Sequence, residues 1–131
     1  MTFVDSGAWF ALYITVDQYH EAAVRWMASN RDTLLTTDYI IDETLSLMRA
    51  RRQRDIAIDF GTDVFAGLLA DVHLLSTTDI ADAWDVFCRF DDKDWSFTDC
   101  TSKVVMESLG IDTAFSFDRH FHQFGTVTVV P

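Results

Sequence analysis

Proline occurs once, at the final position, glycine five times and cysteine twice in this chain of 131 residues. No repeat, linker or low-complexity tract interrupts it, so a collagenous or disordered architecture is excluded. Cys88 and Cys100 fit no Cys-x-x-Cys pattern, and both fall in apolar helical contexts where a free thiol acts as a small hydrophobe. A disulfide is not expected. No apolar run approaches the roughly 18 residues that cross a bilayer, and no basic-then-apolar segment opens the chain. The expectation is a soluble, unprocessed, cytosolic protein. Positive charge is the scarcest commodity: Lys93 and Lys103 are the only lysines, and the formal net charge is −11. Such a surface repels nucleic acid at long range and favours basic partners or bound cations.

The apolar content of 49% and aromatic content of 14% suit one domain, spanning residues 1–131, with a sizeable core of its own. Of the ten basic residues, Arg49, Arg51, Arg52 and Arg54 form one local patch. It reads first as a solvated helix end with cations at its C-terminus. A phosphate-contacting patch is the second reading.

Taken in order, the chain alternates strand and helix. Thr2 to Val4 reads as a strand ending at Asp5-Ser6-Gly7, followed by a helix from Ala8 to Ile14. Asp17 offers an N-cap for a helix with Tyr19, Ala22, Ala23, Trp26 and Met27 on one stripe. Thr33 to Thr36 is a short strand, and Thr37 or Asp38 starts a helix whose Ile41, Thr44, Leu45 and Met48 share a face. Glu43 is offset from that face, and its neighbours one turn away are Ile40 and Leu47, so no cation pairs with it locally. The pattern predicts a helix over Ile56 to Ala70, weakened by Gly61 and Gly67, and a strand over Val72 to Leu75. A helix over Asp79 to Phe90 buries Ile80, Ala83, Trp84 and Phe87, with Asp79, Asp82 and Asp85 on its solvated side. Thr101 to Leu109 is helical with Val104, Val105, Ser108 and Leu109 inward, closed by Gly110. Strands follow at Thr113 to Phe117 and Thr126 to Val130, with His120 and His122 in the turn between them. This alternation predicts an α/β fold, a mostly parallel central sheet flanked by helices on both faces.

The stretch from Asp92 to Cys100 organises the rest. It holds Asp92, Asp94 and Asp99 with only Lys93 between them, an arrangement that repels itself without a cation or a partner from elsewhere in the fold. Thr98 or Asp99 can cap the following helix, which accounts for one acid only. Ligands of open α/β sheets bind outside the carboxyl ends of the strands. Asp5 and Asp118 each follow a predicted strand, and Asp99 and Glu43 lie early in helices that start at the same edge. Four acids from distant parts of the chain therefore converge, without a nearby lysine. This is a poor structural device and a good site for hard divalent cations, Mg²⁺ or Mn²⁺, which favour oxygen ligands and commonly contact phosphates. Phosphodiester hydrolysis by metal-activated water is the matching reaction.

With those residues in view, the chain resembles the PIN-domain ribonucleases, most closely the VapC-type toxins of toxin–antitoxin pairs. The resemblance rests on Val4-Asp5-Ser6, on Glu43, on Asp94-Trp95-Ser96-Phe97-Thr98-Asp99 and on Ala114-Phe115-Ser116-Phe117-Asp118-Arg119-His120-Phe121, and it spans nearly the whole chain. It implies a metal-dependent endoribonuclease with Asp5, Glu43, Asp99 and Asp118 around Mg²⁺ or Mn²⁺, acting on RNA, inhibited by a cognate antitoxin and forming a homodimer. Ser6 and Thr98 match hydroxyl positions that orient the acids, and Asp94 matches either a metal contact or a turn. Dimer grooves and the arginine cluster would offset the acidic charge toward RNA.

Other acid-at-strand-end folds fit less well. A phosphatase takes Asp-x-Asp after its first strand, where Gly7 stands here, and a receiver domain needs a late strand-end lysine that this chain lacks. No glycine-rich nucleotide loop is present. A non-catalytic acidic metal-binding interaction module is the alternative that retains the acid cluster.

Overall fold

Phe3 and Val4, Leu34 and Leu35, and Ala114 and Phe115 are almost completely buried, and their short apolar runs supply the middle of a parallel sheet. A computed structural model describes all residues, 1–131. In chain order the elements are β1 (Thr2–Val4), α1 (Ser6–Tyr13), α2 (His20–Ser29), β2 (Leu34–Thr37), α3 (Asp38–Ala50), α4 (Arg54–Phe65), β3 (Asp71–His73), α5 (Thr77–Arg89), α6 (Phe97–Leu109), β4 (Thr113–Phe115) and β5 (Thr128–Val130), with a 3-10 turn over Arg119–Gln123. The strand order is β3-β2-β1-β4-β5, and every pairing is parallel. Parallel strands need helical crossovers and burial on both faces, so the expected α/β architecture holds.

Strand β1 lies at the centre, with Phe3 opposite Leu35 on one side and Ala114 on the other. Order reverses across β1, because the chain goes to β2 and β3 on one flank and returns to β4 and β5 on the other. That reversal is where a crevice opens at the carboxyl edge of an open sheet. Asp5 is the first residue beyond β1 and therefore stands at the crevice floor.

Several element ends differ from the sequence expectation, each for a local reason. Helix α6 begins at Phe97, not Thr101, because the Ser96 hydroxyl accepts from the Asp99 N–H and the Asp99 carboxylate accepts from the Ser96 N–H, both at 3.0 Å. This reciprocal capping box satisfies two otherwise orphaned donors. Asp17 does not cap α2; its Oδ2 accepts from the Tyr19 N–H at 2.9 Å in the preceding turn, and the helix starts at His20. Helix α4 stops at Phe65, before Gly67, which takes a φ of 74° in the turn that follows. Strand β4 ends at Phe115, two residues early, so Asp118 is carried by a turn beyond the strand and caps the 3-10 turn.

The stripe of α5 is rotated from the expected one. Ala83 and Val86 point inward, whereas Trp84 and Phe87 are 59% and 44% exposed. Asp79 is not solvated: it is buried, closes a second capping box with Ser76, and lies 2.8 Å from His73 Nε2 at the end of β3. The Ser76 N–H, followed by His73, holds its carboxyl below the usual 3.8. On α6 the inward residues are Val104, Val105 and Met106, while Ser108 and Leu109 face solvent. Both cysteines are free thiols, Cys100 buried and Cys88 exposed. No helix is long and apolar enough to cross a membrane.

Candidate active site

Asp5 is placed by the sheet itself. Its N–H donates to the Phe115 carbonyl at 3.1 Å, extending the β1–β4 ladder, and its own carbonyl accepts from Ala8 and Trp9 as α1 begins. The carboxylate that results is 4% exposed. Burial pushes its pKa up to about 7 from the ordinary 3.8, against the lowering effect of the Ser6 N–H and the Ser116 hydroxyl; Glu43 and Asp118 add to the rise through their charges. A buried carboxylate raised this far has no cation of the protein beside it.

Ser116 ties two acids together. Its hydroxyl donates to Asp5 Oδ2 at 3.0 Å while accepting from the Asp118 N–H at 3.0 Å. Asp118 Oδ1 then accepts from the His120 N–H at 2.9 Å, fixing the turn. Glu43, a turn into α3, accepts a short hydrogen bond from the Ser6 hydroxyl. A single serine on α1 thus aims the α3 carboxylate toward the edge where Asp5 sits.

Asp99 faces Asp118 across the crevice from the first turn of α6. Desolvation raises its pKa most, the Ser96 N–H opposes that, and the charge of Asp118 raises it further, while His120 lowers it. His120 Nδ1 lies 3.1 Å from Asp99 Oδ2 and 3.3 Å from Asp118 Oδ1, between the two carboxylates. This network assigns the ring proton to Nδ1, and leaves the buried Nε2 without a partner. Ligand atoms of Asp99, Asp118 and His120 all lie within 4.8 Å of one another. Two carboxylates so close, with a single imidazole N–H between them, suit a divalent cation by donor chemistry.

The four acids singled out from the sequence are therefore assembled at one edge, and Ser6 belongs with them. Thr98 is half-buried and contributes its backbone carbonyl, which accepts from the hydroxyls of Thr101 and Ser102. Asp94 is exposed and is not brought to the cluster. Its neighbour Trp95 explains the aromatic content of that loop: the ring is buried, its indole N–H donates to Gln123 Oε1 at 2.9 Å, and it packs between Phe90 and Phe124. The arginine cluster divides. Arg49 and Arg54 line a groove between α3 and α4, the largest cavity of the molecule at about 700 Å³, which touches none of the four acids. Arg52 takes the left-handed turn with φ 59°. Only Arg51 shares a cavity with one of the acids, Asp118.

Ser96, Ser116 and His120 all lie inside the motifs quoted above, without a role assigned to them from the sequence. Ser96 had a readable signal, a serine three residues before an acid at a helix start. Ser116 and His120 depend on how the turn after β4 folds back, which no local pattern reveals.

The family model of the PIN domain matches residues 2–127. The chain belongs to the PIN-domain family. Among PIN-domain proteins it is 33% identical over 132 residues to the 23S rRNA-specific endonuclease VapC20 of Mycobacterium tuberculosis, in both strain CDC 1551 / Oshkosh and strain H37Rv, covering 100% of this chain and 99% of the relative. The crystal structure of Mycobacterium tuberculosis VapC20, described as a sarcin–ricin loop cleaving toxin, superposes with a TM-score of 0.93 at 30% identity, over the full length of both chains. The PIN fold, the VapC type and a nuclease activity are thereby shared.

Proposed function

We propose that residues 1–131 act as one nuclease domain, a Mg²⁺- or Mn²⁺-dependent endoribonuclease that serves as the toxin of a type II toxin–antitoxin pair. The observation that carries this reading is the uncompensated acid cluster: Asp5, buried and raised to about 7, with Glu43 and Asp118 adding to that rise and Asp118 also raising Asp99. Asp5, Glu43, Asp99 and Asp118 are the proposed metal-binding and catalytic residues. A divalent cation in this site supplies Lewis-acid polarisation of a phosphate and lowers the pKa of water.

The chain's own groups prepare that chemistry. Ser6 and Ser116 hold Glu43 and Asp5 by single hydrogen bonds, so both carboxylates meet a cation preorientated. The Ser96–Asp99 capping box fixes Asp99 against the positive end of α6, and the helix dipole favours the ionised form there. His120 is placed to donate its Nδ1 proton between Asp99 and Asp118 when the cation is away, which limits their repulsion. Thr98 and Asp94 take supporting parts at most, Asp94 as a turn residue.

The substrate proposed is 23S rRNA at the sarcin–ricin loop, from full-length similarity to a relative named for that activity. A net charge of −11 suits a basic antitoxin segment lying over the acids, blocking substrate by charge and volume. A homodimer in the cytoplasm completes the proposal.

The deciding experiment incubates purified protein with ribosomes and with free 23S rRNA in Mg²⁺, Mn²⁺ or EDTA, and maps ends by primer extension. Metal-dependent cutting within the sarcin–ricin loop is expected from the wild type, with at least a hundredfold loss in Asp99→Asn. Wild-type cutting by a folded Asp99→Asn variant would remove Asp99 from the site, and cutting elsewhere in RNA would retain the nuclease while changing its target.

A further inference from the structure

The scarcity of positive charge leaves an open question of how an acidic nuclease grips RNA, and one cavity answers it. Beside Asp118 lies a hollow of about 240 Å³ lined by Gly7, Phe10, Tyr19, Arg51 and Phe117 among others. It has room for about eight waters at ~30 Å³ each, enough for one planar ring. Phe117, the residue before Asp118, packs flat on Tyr19, with ring centroids 4.5 Å apart and planes 4° from parallel. Phe117 therefore covers one face of Tyr19, which is still 42% exposed. Tyr19 itself lines the hollow, together with Phe117.

Arg51 lines the same hollow. It is the C-cap of α3, its N–H donating to the Leu47 carbonyl at 3.0 Å, and it follows Glu43 and Leu47 at intervals of four, about 12 Å along the axis from Glu43. Its guanidinium lies 6.0 Å from the Phe10 ring centroid and enters no ion pair. Asp17 also lines the hollow, but its carboxylate accepts from the Tyr19 N–H. A guanidinium without an ion pair, lining the same hollow as Asp118 and the partly exposed Tyr19, presents the two chemistries that bind a nucleotide: a cation for the phosphate and an aromatic ring for the base.

We propose that this hollow is the subsite for the nucleotide adjoining the scissile phosphate, with the base stacked on Tyr19 and the phosphodiester beyond it held by Arg51. The inference rests on the ribonuclease reading and adds to it two binding residues outside the acid cluster. Arg49, Arg52 and Arg54 take no part in this subsite, so the arginine patch works through one member.

The test uses a fluorescent RNA hairpin of sarcin–ricin loop sequence, with anisotropy and cleavage read on the same samples in Mg²⁺. Arg51→Ala is expected to raise Kd and KM about tenfold with kcat little changed, and to lower the slope of log K against log salt by about 0.7, one phosphate contact to a single strand. Arg49→Ala serves as the control and leaves the slope alone. Tyr19→Ala is expected to weaken binding about tenfold, within the range for a stacked base, whereas Tyr19→Phe retains wild-type affinity. An abasic hairpin lacking the base beside the cleavage site loses affinity in wild type but no further affinity in Tyr19→Ala. An unchanged salt slope in Arg51→Ala, or equal losses from Tyr19→Ala on intact and abasic hairpins, overturns the subsite while wild-type cutting keeps the nuclease. Binding that depends on Arg51 and Tyr19 without any cutting keeps the subsite and removes the nuclease.

Discussion

At the scale of single residues, the buried carboxylate of Asp5 carries an electrostatic cost. Its pKa stands near 7 when folded and near 3.8 when the chain is extended in water, because burial disfavours its charge. The folded state therefore binds the extra proton between those two values. Stability from this group is full below about pH 4, falls as pH rises, and is spent above about pH 7. The difference of about three units corresponds to an upper bound of about 4 kcal/mol. Asp5→Asn keeps an acceptor for the Ser116 hydroxyl and removes the titration. In EDTA, thermal melts are expected to show the variant above wild type at pH 8 and level with it at pH 4. Parallel melting curves across that range would mean that Asp5 is charged in the folded protein without a cation, and that the cluster is less strained than its burial implies.

At the scale of elements, the start of α6 joins stability to activity. Ser96→Ala removes the acceptor for the Asp99 N–H and is expected to cost about 1 kcal/mol, a fall in Tm of roughly 3–5 °C. The same change frees the first turn that carries Asp99, so kcat drops several-fold with KM nearly constant, and Ser96→Thr restores both. A drop in Tm with unaltered kcat would leave the cap a stabilising device only. This element also shows what the sequence reveals. Asp99 at a helix start and Asp5 after a strand were readable because each depends on local pattern alone, apolar runs that end at an acid. The onset of α6 four residues early had a local signal in the Ser96–Asp99 capping pair, whereas the inward turn of Asp79 toward His73 and the exposure of Trp84 and Phe87 had none. Both of the latter follow from which neighbour an element packs against, and a stripe of alternating aromatic and aspartate residues on α5 suits either rotation. His120 lies furthest from legibility, since its position between Asp99 and Asp118 needs β4 to end at Phe115 and the chain to double back.

At the scale of the whole molecule, a net charge of −11 and an edge of four converging carboxylates oppose folding together. Monovalent salt screens the diffuse part of that repulsion, which decays over about 8–10 Å at physiological ionic strength. It relieves the buried part much less, because Asp5 and Asp99 are shielded from bulk ions. Mg²⁺ at matched ionic strength therefore separates the two contributions. A cation bound only by the folded chain at a hundred times its Kd stabilises by about 2.7 kcal/mol, roughly 10 °C in Tm for a domain of this size. The gain is expected to be larger at pH 8 than at pH 5.5, since a proton on Asp5 competes with the metal below its raised pKa. Asp118→Asn, which keeps the acceptor for the His120 N–H but loses the charge, is expected to abolish most of the Mg²⁺ gain while raising the Tm in EDTA. If Mg²⁺ and Na⁺ at equal ionic strength shift the melting temperature alike in wild type, both act by diffuse screening alone, and the cluster is not a metal site.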